Sequence, residues 1–197
     1  MATAKLFPDG TVAPSTTGWS YAGGVSTFHA AVSDDNDATY AYTANQSEST
    51  IMTLDDFGED FTSITSIRFF IRGVLQNTRS GDTDVQISLL KGNNAVWYAE
   101  TINIIFTSGY TPADYYGTAR TTNGTDAWSD AQLDDLRLKI DTTPEDPPGA
   151  SEIAFMRAYV EVTYEAPAVA TTYESDTNNV ILKNGMLILK DGMTEIK

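Results

Sequence analysis

His29 is the only histidine among 197 residues, and the chain has no cysteine. A nucleophile relay needs an imidazole beside the attacking group, and a structural zinc site needs several His or Cys ligands. That inventory speaks against a catalytic triad, a thiolate nucleophile and a His-rich metal site. His29 lies between Phe28 and Ala30 where a strand is expected to start, and it reads as a structural or surface residue. Carboxylates are abundant, and adjacent pairs occur at Asp55-Asp56, Asp134-Asp135 and Glu145-Asp146. Glycoside hydrolysis uses two acids about 5–9 Å apart on either side of a sugar. With 27 acidic residues, chance pairs are expected, so these do not single out a hydrolase. No enzyme activity is expected.

Asp34-Asp35-Asn36-Asp37 is the densest oxygen cluster. Calcium takes about six to eight oxygens, several of them carboxylates. Asp34, Asp35 and Asp37 are therefore candidate Ca²⁺ ligands, although the order departs from an EF-hand loop. The competing reading is a turn in which Asp and Asn bond their own backbone. Trp97, Tyr98, Tyr110, Tyr115, Tyr116 and Trp128 could supply a platform on which sugar rings stack, with Tyr110, Tyr115 and Tyr116 in a long Ser108–Asn123 loop as the candidate carbohydrate-binding residues. Core and inter-sheet packing is the competing use of such rings.

The formal charge is −15, from 12 basic against 27 acidic residues. Such a surface repels phosphate backbones and anionic headgroups over a Debye length of about 8 Å. Neither nucleic acid nor membrane is an expected partner. No secretory signal is expected from Met1-Ala2-Thr3-Ala4-Lys5-Leu6-Phe7-Pro8, and no apolar run approaches the roughly 18 residues that span a bilayer.

The elements that must position these residues alternate with period two. Thr39–Thr43, with Tyr40 and Tyr42 on one face, and Thr50–Leu54 read as strands. In Ile64–Val74, Ile67, Phe69 and Ile71 point one way and Arg68, Phe70 and Arg72 the other. Asp84–Leu90, Ala95–Glu100, Thr101–Thr107, Leu136–Ile140 and Ile153–Tyr164 follow. In the last of these, Ile153, Phe155, Arg157 and Tyr159 alternate against Ala154, Met156, Ala158, Val160 and Val162. Ser129-Asp130-Ala131-Gln132 is a capping box for a short helix. The fold class is all-β, a two-sheet antiparallel sandwich of jelly-roll type.

Residues 1–24, punctuated by Pro8, Gly10, Pro14, Gly18, Gly23 and Gly24, read as an N-terminal arm. The sandwich is expected over residues 25–165 and a linker over 166–178. Residues 179–197 hold a tandem repeat, Ile181-Leu182-Lys183-Asn184-Gly185-Met186-Leu187 followed by Ile188-Leu189-Lys190-Asp191-Gly192-Met193-Thr194. Asn-Gly and Asp-Gly favour two-residue type I′ turns. A β-meander of strands 179–183, 186–190 and 193–197 is predicted, with Val180, Leu182, Leu187, Leu189 and Ile196 on one face as the expected assembly interface.

Three stretches together resemble a type of β-sandwich encoded among the structural genes of tailed bacteriophages. They are Trp19 with Val32-Ser33-Asp34-Asp35-Asn36-Asp37-Ala38-Thr39-Tyr40, the segment from Ala127-Trp128-Ser129 to Ile140, and the closing strand Arg157–Tyr164. The resemblance implies a virion component without catalytic residues, and covers Trp19 to Tyr164. The leading expectation is a capsid decoration (cement) protein that meets copies of itself and major capsid or other virion proteins. The alternative is a tail or neck accessory with a carbohydrate-binding jelly roll.

Overall fold

The computed structural model describes residues 1–12, 18–43, 48–76, 83–104, 111–124, 126–142, 152–168, 180–183 and 186–189. The strands are β1 (Ala2–Leu6), β2 (Pro8–Val12), β3 (Ser20–Ala22), β4 (Tyr40–Thr43), β5 (Ser49–Leu54), β6 (Ser63–Gln76), β7 (Thr83–Leu90), β8 (Val96–Ile104), β9 (Ala113–Tyr116), β10 (Arg137–Thr142), β11 (Glu152–Glu165), β12 (Val180–Lys183) and β13 (Met186–Leu189). Two short helices, α1 (Phe28–Val32) and α2 (Asp130–Asp134), lie between them.

A six-stranded sheet runs β3-β4-β11-β6-β9, with β1 also paired to β11, and a five-stranded sheet runs β2-β5-β10-β7-β8. The ladders are antiparallel. Alternate residues of both sheets meet in one core, including Phe69 and Ile71 of β6, Ile87 and Leu89 of β7, Leu138 and Ile140 of β10, and Phe155 and Val160 of β11. Trp19 caps one end, its ring 4.6 Å from Phe28 and 5.9 Å from Phe155. The all-β sandwich expected from period-two alternation is the observed architecture.

The stretch read as an arm is part of that architecture. β1 pairs with β11 from Ala2↔Tyr164 to Leu6↔Val160, and β2 pairs with β5 from Pro8↔Leu54 to Val12↔Ile51. One residue, Phe7, separates the two strands, so the chain crosses between sheets there. Pro8 and Gly10 sit where a strand tolerates them, at its first residue and beside a bulge. They punctuate strands rather than end order, and the sandwich begins at Ala2.

Three further differences concern elements. The segment around His29 is the helix α1, with Thr27 Oγ1 accepting from the Ala30 backbone N–H at 3.4 Å, rather than a strand. Of the two strands expected across Ala95–Thr107, the described part is the single β8, Val96–Ile104, and residues 105–107 lie outside the described residues. Ala113–Tyr116, expected within a loop, is the edge strand β9. The capping box at Ser129 is present, with the Ser129 backbone N–H donating to Gln132 Oε1 at 3.0 Å.

β11 departs most from simple alternation. Its register on β6 shifts between Phe155↔Gly73 and Arg157↔Arg72, leaving Met156 as the extra residue of a β-bulge. Phe155 and Ala158 therefore both face the core, while Arg157 and Tyr159 face outward with Ala154 and Met156. At the C-terminal end of the chain, β12 and β13 form their own two-stranded sheet, with Val180↔Leu189, Ile181↔Ile188, Leu182↔Leu187 and Lys183↔Met186 in register. That is the predicted register. The third strand and Ile196 lie outside the described residues.

Candidate functional site

The outer face of the six-stranded sheet is striped. Phe70 of β6 is paired with Tyr116 of β9 on one side and Tyr159 of β11 on the other. Phe7, just past the end of β1, continues the line. The rings follow one another with centroid separations of 5.0 Å (Tyr116–Phe70), 4.4 Å (Phe70–Tyr159, stacked) and 5.4 Å (Tyr159–Phe7). This row runs across the strands because directly opposed residues on neighbouring strands share a face. Phe70 and Tyr159 are 2 % and 3 % exposed, whereas Tyr116 at the sheet edge is 47 % exposed.

An ionic row flanks the rings on each side. Lys5, Glu161 and Arg68 occupy opposed positions on β1, β11 and β6. Arg68 Nε donates to Glu161 at 2.7 Å, and the Arg68 guanidinium lies 4.5 Å over the Tyr116 ring. The Lys5 ammonium lies 4.7 Å over the Tyr159 ring. On the far side, Arg157, Arg72 and Asp114 are opposed on β11, β6 and β9. Two neighbouring arginines would repel, and the Asp34–Asp37 loop neutralises both. Arg72 Nε and Nη2 donate to the two oxygens of Asp37 at 2.8 Å each, and Nη1 donates to Asp114 at 2.7 Å. Arg157 Nε donates to the Asp34 carbonyl at 3.1 Å, and its guanidinium is ion-paired with Asp35. Past this row, Val74, Ala154 and Met156 form a small apolar cluster beneath Tyr40 and Tyr42.

The titration of these groups follows from their partners. The Arg72 hydrogen bond holds Asp37 below the usual Asp range, and Arg72 itself is raised by Asp37 and Asp114. Burial pushes the Tyr159 hydroxyl up to about 12, with Tyr116 and Glu161 adding to the effect. Elsewhere, burial alone would raise Glu100. The Thr118 backbone N–H, the Tyr98 and Thr118 hydroxyls and the Arg120 charge outweigh burial and hold it low.

The residues singled out from sequence are placed as follows. Asp34 accepts from the Asn36 backbone N–H at 3.1 Å and from the Thr39 hydroxyl at 2.7 Å, while Asn36 Oδ1 accepts from the Ala38 N–H at 3.1 Å. Asp34, Asp35 and Asp37 thus turn to three different partners. No group of three or more His, Cys, Asp or Glu converges as a metal site among the described residues. The calcium expectation gives way to a self-capped loop that serves two arginines. Tyr115 and Tyr116 are neighbours on β9 and so point to opposite faces. Tyr115 packs on the core while Tyr116 joins the outer row, and Tyr110 lies outside the described residues. Trp97 and Trp128 meet edge to face at 5.2 Å as part of the packing. Both ring nitrogens of His29 face threonine hydroxyls, Nδ1 at 2.9 Å from Thr11 Oγ1 and Nε2 at 3.4 Å from Thr27 Oγ1.

Sequence reasoning missed Phe7, Tyr159 and Arg157 as members of this face. The outward phase of β6, with Arg68, Phe70 and Arg72, was the legible half of it. The bulge at Met156 carries no sequence mark that would have supplied the other half.

No protein-family model matches the chain, and no curated protein sequence does. Among solved structures, it is similar to an arabinose-bound α-L-arabinofuranosidase (TM-score 0.46, 11% identity, 81% of this chain and 26% of that one). It is similar to a xylan-binding module (TM-score 0.44, 11% identity, 84% of this chain and 99% of that one). It is also similar to the enzymatically active domain of tailspike protein 4 from bacteriophage CBA120 (TM-score 0.40, 11% identity, 82% of this chain and 19% of that one). The chain therefore spans about a quarter of the first and a fifth of the third.

Proposed function

We propose that the chain is a non-enzymatic accessory protein of a virus particle, of the decoration type, and that its outer six-stranded face holds a neighbouring protein surface. The observation that carries this reading is the composition of that face. In a chain of net charge −15, the partly exposed Arg68, Arg72, Arg157, Tyr40, Tyr42 and Tyr116 are gathered on one side of one sheet, over a buried base of Phe70, Tyr159 and Met156. Tyrosine, arginine and methionine are the residues enriched where proteins bind proteins.

The test is cosedimentation of purified chain with particles stripped of it. Wild type should pellet with the particles. A Tyr116→Ala, Arg68→Glu double variant that keeps its fold should bind at least about tenfold more weakly, as expected for loss of more than 1.4 kcal/mol at a hot spot. Equal binding by the variant would contradict this use of the face.

A second reading is favoured by one observation, the half-exposed Tyr116 ring at the sheet edge with ion-paired Asp114 and Arg72 beside it. This arrangement offers a stacking surface together with hydroxyl-binding partners, which suits a neutral glycan at a tail. Saturable binding to a neutral oligosaccharide, lost in Tyr116→Ala, would promote this reading over the first.

A further inference from the structure

We propose that Arg120 is the receptor for a single carboxylate, an Asp or Glu side chain carried by a partner protein. The site lies at the side of the sandwich, where the edges of the two sheets meet, and not on the outer face of the six-stranded sheet.

The backbone fixes where this side chain goes. Beyond β9 the chain runs on beside β6. The Arg120 N–H donates to the Ile67 carbonyl at 2.8 Å, and the Ile67 N–H donates to the Arg120 carbonyl at 2.9 Å. The Trp128 indole N–H donates to that same carbonyl at 3.2 Å. Opposed residues share a face, and Ile67 belongs to the core. The Arg120 side chain therefore leaves the sheet edge on its inner side, toward β8 of the other sheet. Its guanidinium lies 3.7 Å from the centroid of the Tyr98 ring.

The hydrogen bonding of this arginine sets it apart. Its Nε is buried without a hydrogen-bond partner in the chain, although buried donors are as a rule paired. Its two Nη groups have no partner either, and they are accessible. Every other described arginine has one. Arg68 bonds Glu161, Arg72 bonds Asp37 and Asp114, Arg137 bonds Asn94, and Arg157 bonds the Asp34 carbonyl. Glu100 is within electrostatic reach of Arg120 but is held by other groups. It accepts from the Tyr98 hydroxyl, and from the Thr118 N–H and hydroxyl at 2.8 and 3.0 Å. Among the described residues, no ion pair includes Arg120.

The chemistry of the group selects the ligand. A guanidinium held on an aromatic ring keeps its planar fork in one orientation, and two parallel N–H groups match a carboxylate. A phosphate dianion would want several cations or a nest of amides, and a chain of charge −15 repels it. A sugar would want a bare ring face. Here Tyr98 is covered by Arg120, while Trp97 meets the edge of Trp128 and has the Lys91 ammonium 5.8 Å above it. Thr118, Ala119 and Thr121, which flank Arg120 in the chain, are exposed and uncharged, as suits contact with a protein surface. The acidic body also repels free anions, so the carboxylate arrives on a partner that other contacts bring close.

The experiment is a nuclear magnetic resonance titration of the full chain, following the arginine Nε–H signals. The Arg120 signal is identified by its loss in Arg120→Lys. The probe is N-acetyl-L-glutamate α-amide, which carries one side-chain carboxylate, and the control is the uncharged N-acetyl-L-glutamine α-amide. The Arg120 signal should shift saturably with the first, half-way at roughly 1–100 mM, the range of one weak ionic contact. It should not shift with the second, and the already bonded arginines should move less. Arg120→Lys keeps the charge and loses the fork, so a backbone amide next to it should report binding at least about tenfold weaker. An Arg120 signal that stays fixed up to about 200 mM probe would overturn the proposal. So would an equal shift with the glutamine control, which a purely structural stacking role predicts. Glucuronate binding about tenfold more tightly than the glutamate probe would make the ligand an acidic sugar and overturn the protein partner. The titration uses the chain alone, so its outcome is independent of binding to particles through the six-stranded face.

Discussion

Phe155 and Arg157 are two residues apart on β11, yet they lie on opposite faces of the sheet, because Met156 between them has no partner on β6. This one extra residue lets a single strand supply both the core and the outer striped face. Phe155 is fully buried, so Phe155→Ala should cost about 3–5 kcal/mol of stability. Arg157 pairs with an exposed aspartate, and Arg157→Ala should cost under about 1 kcal/mol. Urea unfolding of the two variants checks the order, and equal costs would mean that the phase is drawn wrongly. Tyr159 gives a spectroscopic handle on the same face. Its hydroxyl is held up to about 12, so between pH 10 and that value the unfolded chain loses a proton that the folded chain keeps. Its contribution to stability is present below pH 10 and fades as pH rises through about 12. Ultraviolet titration of wild type against Tyr159→Phe should remove a late-titrating tyrosine, and loss of an ordinary one near 10 would contradict the burial of this ring. The sequence could disclose Arg68, Phe70 and Arg72 as an outward trio, because β6 alternates cleanly there. It could not disclose Tyr159 and Arg157 as their neighbours, because a bulge is a property of two paired strands.

At the level of elements, the strands with alternating residues were legible, and those set among turn residues were not. β6, β7, β10 and β11 stand where period two puts them, since each has a run of inward Ile, Leu, Val or Phe. β1 and β2 were hidden by Pro8 and Gly10, and β9 by Gly109, Pro112 and Gly117 around it. The difference between an arm and a pair of strands can be measured. Leu6 on β1 is 2 % exposed, and Leu6→Ala should cost about 2–5 kcal/mol in thermal or urea unfolding. A dispensable arm would show no loss. The Asp34–Asp37 loop, read from sequence as a metal or turn candidate, is an electrostatic strap on β6 and β11. The Asp37 value is lowered by Arg72, so its contribution is complete above the ordinary Asp value of about 4 and is lost as pH falls through the lowered one. Asp37→Asn should flatten the acid limb of the stability–pH curve slightly, by well under 1 kcal/mol for so exposed a pair. Added calcium should leave the melting temperature unchanged, and a saturable rise would restore the loop as a cation site.

For the whole molecule, the described residues give an acidic sandwich with one arginine- and tyrosine-bearing face, and a separate two-stranded hairpin of mostly apolar residues. A surface that repels its own kind everywhere except at defined patches is suited to joining an ordered assembly without clumping in solution. The charge balance and the tandem repeat were visible in the residues alone. The striped outer face was not, because it arises from cross-strand neighbours more than 30 positions apart, such as Tyr116 beside Phe70 and Phe70 beside Tyr159. The function proposed above is that of a virus-particle component that holds its neighbour through the outer six-stranded face. Electron cryo-microscopy of virus particles purified from a culture that produces the chain tests that proposal most directly. The prediction is sandwich-shaped density at regular positions on the particle's outer or lateral surface, with Tyr116, Arg68 and Arg72 against a neighbouring subunit. Particles that lack this chain, or that carry it with the six-stranded face bare to solvent, would contradict it.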